Sequence, residues 1–230
     1  MARPPGVQPF DVDETIARMR HAKARIVQCV EWARATEEAW RSLGYGGDTR
    51  RAVAASPASE AAWIFERATR DAQILMITRV LDPPSRRDAL ATHRISLPVC
   101  SELLRLPGVS EQLIAEARNW NEMGGVNCDQ VRQRLVQFEA RLTALRDEQP
   151  NRATLLRDFR NVNIAHELRL APTPAQPLYR HIPEMLEEVK ILAADLSFIV
   201  EGEVVRWRQD ETLRSATLLW EAVAAQYPLD

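Results

Sequence analysis

The residues best suited to chemistry in this chain lie together in the segment LLRDFRNVNIAHEL, Leu155 to Leu168. Arg160, Asn161, Asn163 and His166 supply a guanidinium, two amides and an imidazole, with Arg157 nearby on the N-terminal side. A guanidinium fork grips phosphate or carboxylate through parallel hydrogen bonds. An imidazole titrates near about 6.5 and can take or give a proton around neutrality. The combination suits proton transfer beside a phosphate. The same groups would also serve as a buried network that bonds backbone carbonyls and pins neighbouring helices, and both readings stand at this point.

At about 100° per residue, Leu155, Leu156, Phe159, Val162 and Leu170 gather on one side of a helix, with His166 in the middle of that side. Arg160 projects from its edge. Helical spacing lets Arg160 touch Asn163 and lets Asn163 touch His166. Arg160 and His166 stand about 120° apart on the same wheel, so one helix does not aim both at a single phosphate well. A two-fold pairing of site helices would let one subunit's arginine and the other's histidine share a substrate.

The elements around this segment all have helical period. After a proline-rich start, Ile16, Met19, Lys23, Ile26, Val27, Val30 and Ala33 mark a long amphipathic helix. Gly44 to Ser59 reads as a loop, with Ser56 or Ser59 capping a second helix through Trp63, Ile64, Ala68, Ala72, Leu75 and Met76. That helix stops at LDPPS, because the residue before a proline resists the α conformation. Arg94 to Val109 reads as a short helix, and Ser110 as the cap of the next. A longer helix starts near Asp129, and APTPAQP separates the site helix from the clean repeat of Ile182, Met185, Leu186, Val189, Leu192, Leu196 and Ile199. No stretch alternates with strand period. The expectation is an all-α bundle of roughly six to eight helices. Residues 1–10 form a tail and 11–208 the helical domain, and 209–230 a final helix, either of that domain or an oligomerisation arm.

The string RDFRNVNIAHELR resembles the signature of the HEPN superfamily of all-helical ribonucleases and nucleotide-binding proteins. That signature is an arginine, a polar residue and, after a short gap, a histidine; here these are Arg160, Asn161 and His166, ending in Ala165–His166. ITRVLDPPSRRDALATHRISLPVCSELL (Ile77 to Leu104), with its R-x-x-D-P turn and Ser-Leu helix start, is similar to the abortive-infection-type (AbiU-like) branch. The resemblance implies a HEPN-like fold and a metal-independent endoribonuclease acting as a homodimer, with its site at the dimer seam. On that reading His166 moves a proton at the RNA 2′-hydroxyl and the leaving oxygen. Arg160 holds the scissile phosphate, Asn161 orients the pair, and Arg157 and Asn163 line the cleft. It also implies RNA as substrate, a role in phage defence or a toxin–antitoxin system, and an antitoxin protein as partner. The alternative is a non-catalytic HEPN-like scaffold, or a module that binds nucleotide, RNA or protein.

Other features narrow the field. The net charge is −2, so nothing pulls the whole chain toward polyanions and any RNA contact must come from a local cluster. Cys29, Cys100 and Cys128 show no C-x-x-C spacing, which fits a reduced, cytoplasmic protein. No apolar run approaches a membrane span, so no membrane partner is expected. His21, His93, His166 and His181 lack nearby Asp, Glu or Cys partners, so neither a metal nor a cofactor is expected. His181 reads as a surface or capping residue within reach of the same cleft. Glu187–Glu188 and Glu201/Glu203 read as solvated helix surface, and the six tryptophans as core or interface packing rather than base-stacking groups.

Overall fold

A computed structural model describes residues 11–43, 47–84, 95–149, 151–165, 180–208 and 211–227. These residues hold nine α-helices and no strand. They are α1 (Val12–Arg41), α2 (Asp48–Ala55), α3 (Ser59–Val80), α4 (Leu97–Leu104), α5 (Val109–Ala117), α6 (Gly124–Asp147), α7 (Arg152–Phe159), α8 (His181–Glu201) and α9 (Glu211–Gln226). The all-α architecture is the one expected from the periodicity. The count exceeds six to eight because the glycine-rich segment read as a loop contains α2. Its Val53 joins Leu43, Ala62 and Trp220 in a small second core, where the Trp220 ring meets Phe65 edge-on at 5.5 Å.

The main core forms around α8, whose Met185, Leu186, Val189, Leu192, Leu196 and Ile199 are all fully buried. This apolar face is wide enough to touch α1, α3, α5, α6 and α7. Ile16, Met19, Ile26 and Val30 of α1 and Ile74 and Ile77 of α3 complete the same cluster. Among the described residues no helix is long and apolar enough to cross a membrane. Cys100 is fully buried, and burial pushes its thiol up to about 12 against the opposing effect of Arg18, which leaves it a packing residue.

Local chemistry sets the helix ends. Asp11 Oδ1 accepts from the backbone N–H of Asp13 (2.9 Å) and Glu14 (3.3 Å) at the start of α1. Three expected caps are corrected. Ser59 is the first residue inside α3, whose N-cap position is Ala58 with no side-chain cap hydrogen bond. Ser56 caps nothing at α3; its hydroxyl donates to Val53 O and accepts from Ala58 N–H, closing the turn after α2. Ser110 lies inside α5, which starts from left-handed Gly108 (φ 85°), and its hydroxyl donates to Leu104 O at 2.6 Å.

Glu201 and Glu203 are likewise more than solvated surface. Both accept from the buried Lys23 ammonium, at 2.5 and 2.6 Å, and bind the end of α8 to α1. Burial alone would lower the Lys23 pKa, but the hydrogen bonds and charges of the two carboxylates outweigh it and hold it above the ordinary lysine value. Between these glutamates the chain turns at Gly202 (φ 68°), where an added Cβ would stand 2.5 Å from Trp120 Cε3.

Two outcomes follow for stability. Gly202→Ala would combine a left-handed alanine with a clash against a ring already packed on Phe198, so a loss of about 3 kcal/mol is expected in urea unfolding. A lysine with a raised folded pKa stabilises the fold fully below its unfolded value of about 10.4, and that contribution is lost as pH climbs through the folded value. Denaturation measured above about pH 10.4 should therefore contain a destabilising component that Lys23→Met lacks.

Candidate functional site

The segment that carries the motif begins at Asn151, whose two ends do different work. Its Oδ1 accepts from Thr154 N–H at 2.8 Å and caps α7, while its Nδ2 donates to Leu145 O (2.9 Å) and Arg146 O (2.8 Å) at the end of α6. The helix does not run on as a regular α-helix. From Arg160 to Ala165 it continues as a π-helical turn. Hydrogen bonds there span five residues instead of four. Phe159 and Ile164, five apart, accordingly both pack against the core.

That extra residue corrects the wheel. Asn163 is turned out to solvent rather than bordering a buried face, and its Nδ2 donates to Phe159 O at 3.1 Å instead of meeting Arg160. The angles of an ideal α-helix do not carry across the turn either. His166 lies outside the described residues, and so does any contact it makes with Asn163.

Arg160 is held on several sides. Its Nη1 donates to Asp82 Oδ1 (3.0 Å) and Oδ2 (3.1 Å) and to Thr78 Oγ1 (3.3 Å). Its Nε and Nη2 both donate to Asn161 Oδ1, at 3.1 and 3.0 Å. With 16% of its side chain exposed, this guanidinium is fixed in direction at the rim of the fold. Arg157 approaches the same carboxylate, its Nε 3.8 Å from Asp82 Oδ1. That Nε is buried and lacks a hydrogen-bond partner, and Nη2 reaches Leu81 O only at 3.5 Å. Two guanidiniums thus face one carboxylate, leaving an excess of one positive charge.

Asp82 and Thr78 did not stand out as site residues in the sequence, although the R-x-x-D-P turn did. The structure gives that turn its purpose. The carboxylate of Asp82 takes Arg160, and its carbonyl accepts from the Ser96 hydroxyl at 2.7 Å. Ser96 in turn caps α4 by accepting from Val99 N–H at 3.4 Å. The two motifs noted separately along the chain therefore meet through one aspartate.

Cavities lie on either side of this cluster. Asn163 and Phe159 border one of about 450 Å³ that is otherwise lined largely by α3. In it burial pushes the Asp71 carboxyl above the ordinary range, although Arg70 and Arg67 act in the other direction. Arg157 borders another of about 360 Å³, walled by Leu81, Pro83 and Leu145. His181 is buried at the first position of α8 rather than on the surface. No group of three or more His, Cys, Asp or Glu side chains able to hold a metal ion exists among the described residues.

Comparison with known proteins agrees with the motif. The family model HEPN_AbiU2, described as AbiU2, matches residues 20–213, a span that takes in both the LDP turn and the Arg160–His166 segment. No curated protein matches the chain. No solved structure matches it either.

Asp82→Asn keeps the shape of this anchor but removes the charge beneath two guanidiniums. Because the carboxylate is 37% exposed, solvent screens the pair. The expected loss is about 1–2 kcal/mol rather than the larger penalty of a fully buried pair. A double-mutant cycle of Asp82→Asn with Arg160→Gln, followed by urea unfolding, should return a coupling of about 1 kcal/mol. A cycle with the distant Arg20→Gln should return none.

Proposed function

The chain belongs to the AbiU2 family of HEPN proteins, and on that premise we propose that it is a metal-independent endoribonuclease acting in phage defence or a toxin–antitoxin system. The reaction is attack of an RNA 2′-hydroxyl on the adjacent phosphorus. The new 2′-O–P bond forms as the 5′-O–P bond breaks, giving a cyclic phosphate and a free 5′-hydroxyl. His166 takes the proton from the 2′-hydroxyl or returns one to the 5′-oxygen, and a two-fold pairing of chains supplies one histidine for each task. Arg160 offsets the charge that grows on the phosphate oxygens, Asn161 keeps its guanidinium in register, and Arg157 and Asn163 flank the strand.

The observation that carries this reading is the Arg160 cluster itself. Its guanidinium is oriented in advance by Asp82 and Asn161, and Arg157 beside it leaves the pair of arginines one charge in excess of its carboxylate. A donor fixed before substrate arrives loses little freedom when the phosphate binds, which is the condition for strong transition-state stabilisation.

A second reading draws on the same cluster. Asp82, Thr78 and Asn161 already occupy most of the donors of Arg160. A guanidinium satisfied inside the chain is also what a non-catalytic scaffold, binding RNA, nucleotide or protein elsewhere, would keep for stability.

Single-turnover RNA cleavage separates the two. His166→Ala should lower the rate by roughly 10³ or more and Arg160→Gln by about 10²–10³, with melting of His166→Ala unchanged. Arg160→Lys should restore only part of the loss, because an ammonium cannot reproduce the fork. EDTA should leave the rate as it was. Absence of cleavage by the wild-type chain, with Arg160→Gln merely less stable, would establish the scaffold instead.

A further inference from the structure

The larger cavity has an unusual wall. Along α3, Trp63, Arg67, Arg70, Asp71 and Ile74 recur at spacings of three and four and so share one face. In a helix that only packs, such a face would be apolar throughout. Here the stripe is charged along most of its length and ends at Thr78, where Arg160 is bound.

Trp63 is 59% exposed and so lies outside the core, and the guanidinium carbon of Arg67 lies over its ring, 5.5 Å from the centroid. This presents an exposed aromatic ring with a cation over one of its faces. Arg67 and Arg70 each keep an Nε 3.8 Å from an Asp71 oxygen, an ion-pair distance too long for a hydrogen bond, and Asp71 Oδ1 is buried without a hydrogen-bond partner. Arg50 adds a third cation, paired with Glu66 at 3.1 Å. Three arginines thus stand against two carboxylates, in a cavity of about 450 Å³, a volume in the range that takes a small ligand. From Arg70 to Thr78 the helix rises only about 12 Å, a gap that a short single-stranded segment bridges.

We propose that this face of α3 is a subsite for a nucleotide flanking the cleaved bond, its base stacked on Trp63 and its phosphate held by Arg67 and Arg70. The inference rests on RNA being the substrate. Stacking accepts any base, and arginines contact phosphate regardless of sequence, so the subsite positions the strand without selecting a sequence. Asp71 spaces the two guanidiniums, and Asn163, exposed by the π-helical turn, borders the path from subsite to motif.

The test is fluorescence anisotropy with a labelled, unstructured oligouridine and the full chain carrying His166→Ala, which removes cleavage from the measurement. Trp63→Ala and the double variant Arg67→Gln/Arg70→Gln should each weaken binding at least tenfold. Trp63→Phe should retain most of the affinity, and the arginine variant should show a shallower dependence on salt. Unchanged melting would show that substituting the exposed Trp63 and Arg67 and the half-buried Arg70 leaves the fold intact. RNA cleavage by the wild-type chain with affinity unaltered by all three variants would overturn the subsite and leave the nuclease reading standing. Binding lost in Trp63→Ala, but with no cleavage by the wild-type chain, would overturn the nuclease reading and the placement of the subsite beside a cleaved bond, and leave α3 as an RNA-binding face. A wild-type chain that does not bind the oligonucleotide would overturn both.

Discussion

Much of the site's geometry depends on a single ion pair, that of Arg160 with Asp82. A guanidinium at the rim of an apolar bundle cannot be left without acceptors, because its five donors would each forfeit a hydrogen bond to water. Asp82 meets that demand from the end of α3, and in doing so fixes α7 and the turn beyond it against α3. The same residue receives the hydroxyl that starts α4. Helices far apart in sequence are thus assembled around a few polar atoms, while α8 supplies the apolar mass that makes the arrangement stable.

The π-helical turn is the second constraint. A wider turn gives up regular i→i−4 bonding, and it persists only where packing rewards it. Here the reward is that Ile164 reaches the core five positions after Phe159, at the same time as Asn163 swings outward. Core packing and site geometry are therefore two sides of one backbone irregularity. It also separates the environments of neighbouring motif residues: Arg160 faces inward to α3, and Asn163 faces a cavity.

What the sequence disclosed and what it concealed follow from this physics. Helical period was legible because amphipathic faces such as that of α8 repeat every three or four residues, and Arg160 and Asn161 stood out as polar groups within such a pattern. α2 was concealed by the glycines before it, although AVAA is ordinary helix-forming sequence. The π-helical turn was concealed because a wheel assumes uniform rotation, so Asn163 was assigned to the wrong side. Asp82 is a tertiary partner 78 positions from Arg160, and no local spacing could pair the two. Lys23 with Glu201 and Glu203 is the same case over a longer span. The alternation of R-x-x-D-P with the arginine motif held the information, but only as a coincidence of two segments until the fold brought them together.

The hydroxyl of Ser96 on the carbonyl of Asp82 carries one more implication. It joins residues 14 positions apart, so the chain that leaves α3 is gathered back at its own root before α4 begins. The entropy cost of bringing two such points of a chain together grows only slowly with their separation, by about 0.6 kcal/mol per doubling. The Asp82 carboxylate can therefore stay in place for Arg160 whatever the number of residues between Asp82 and Ser96.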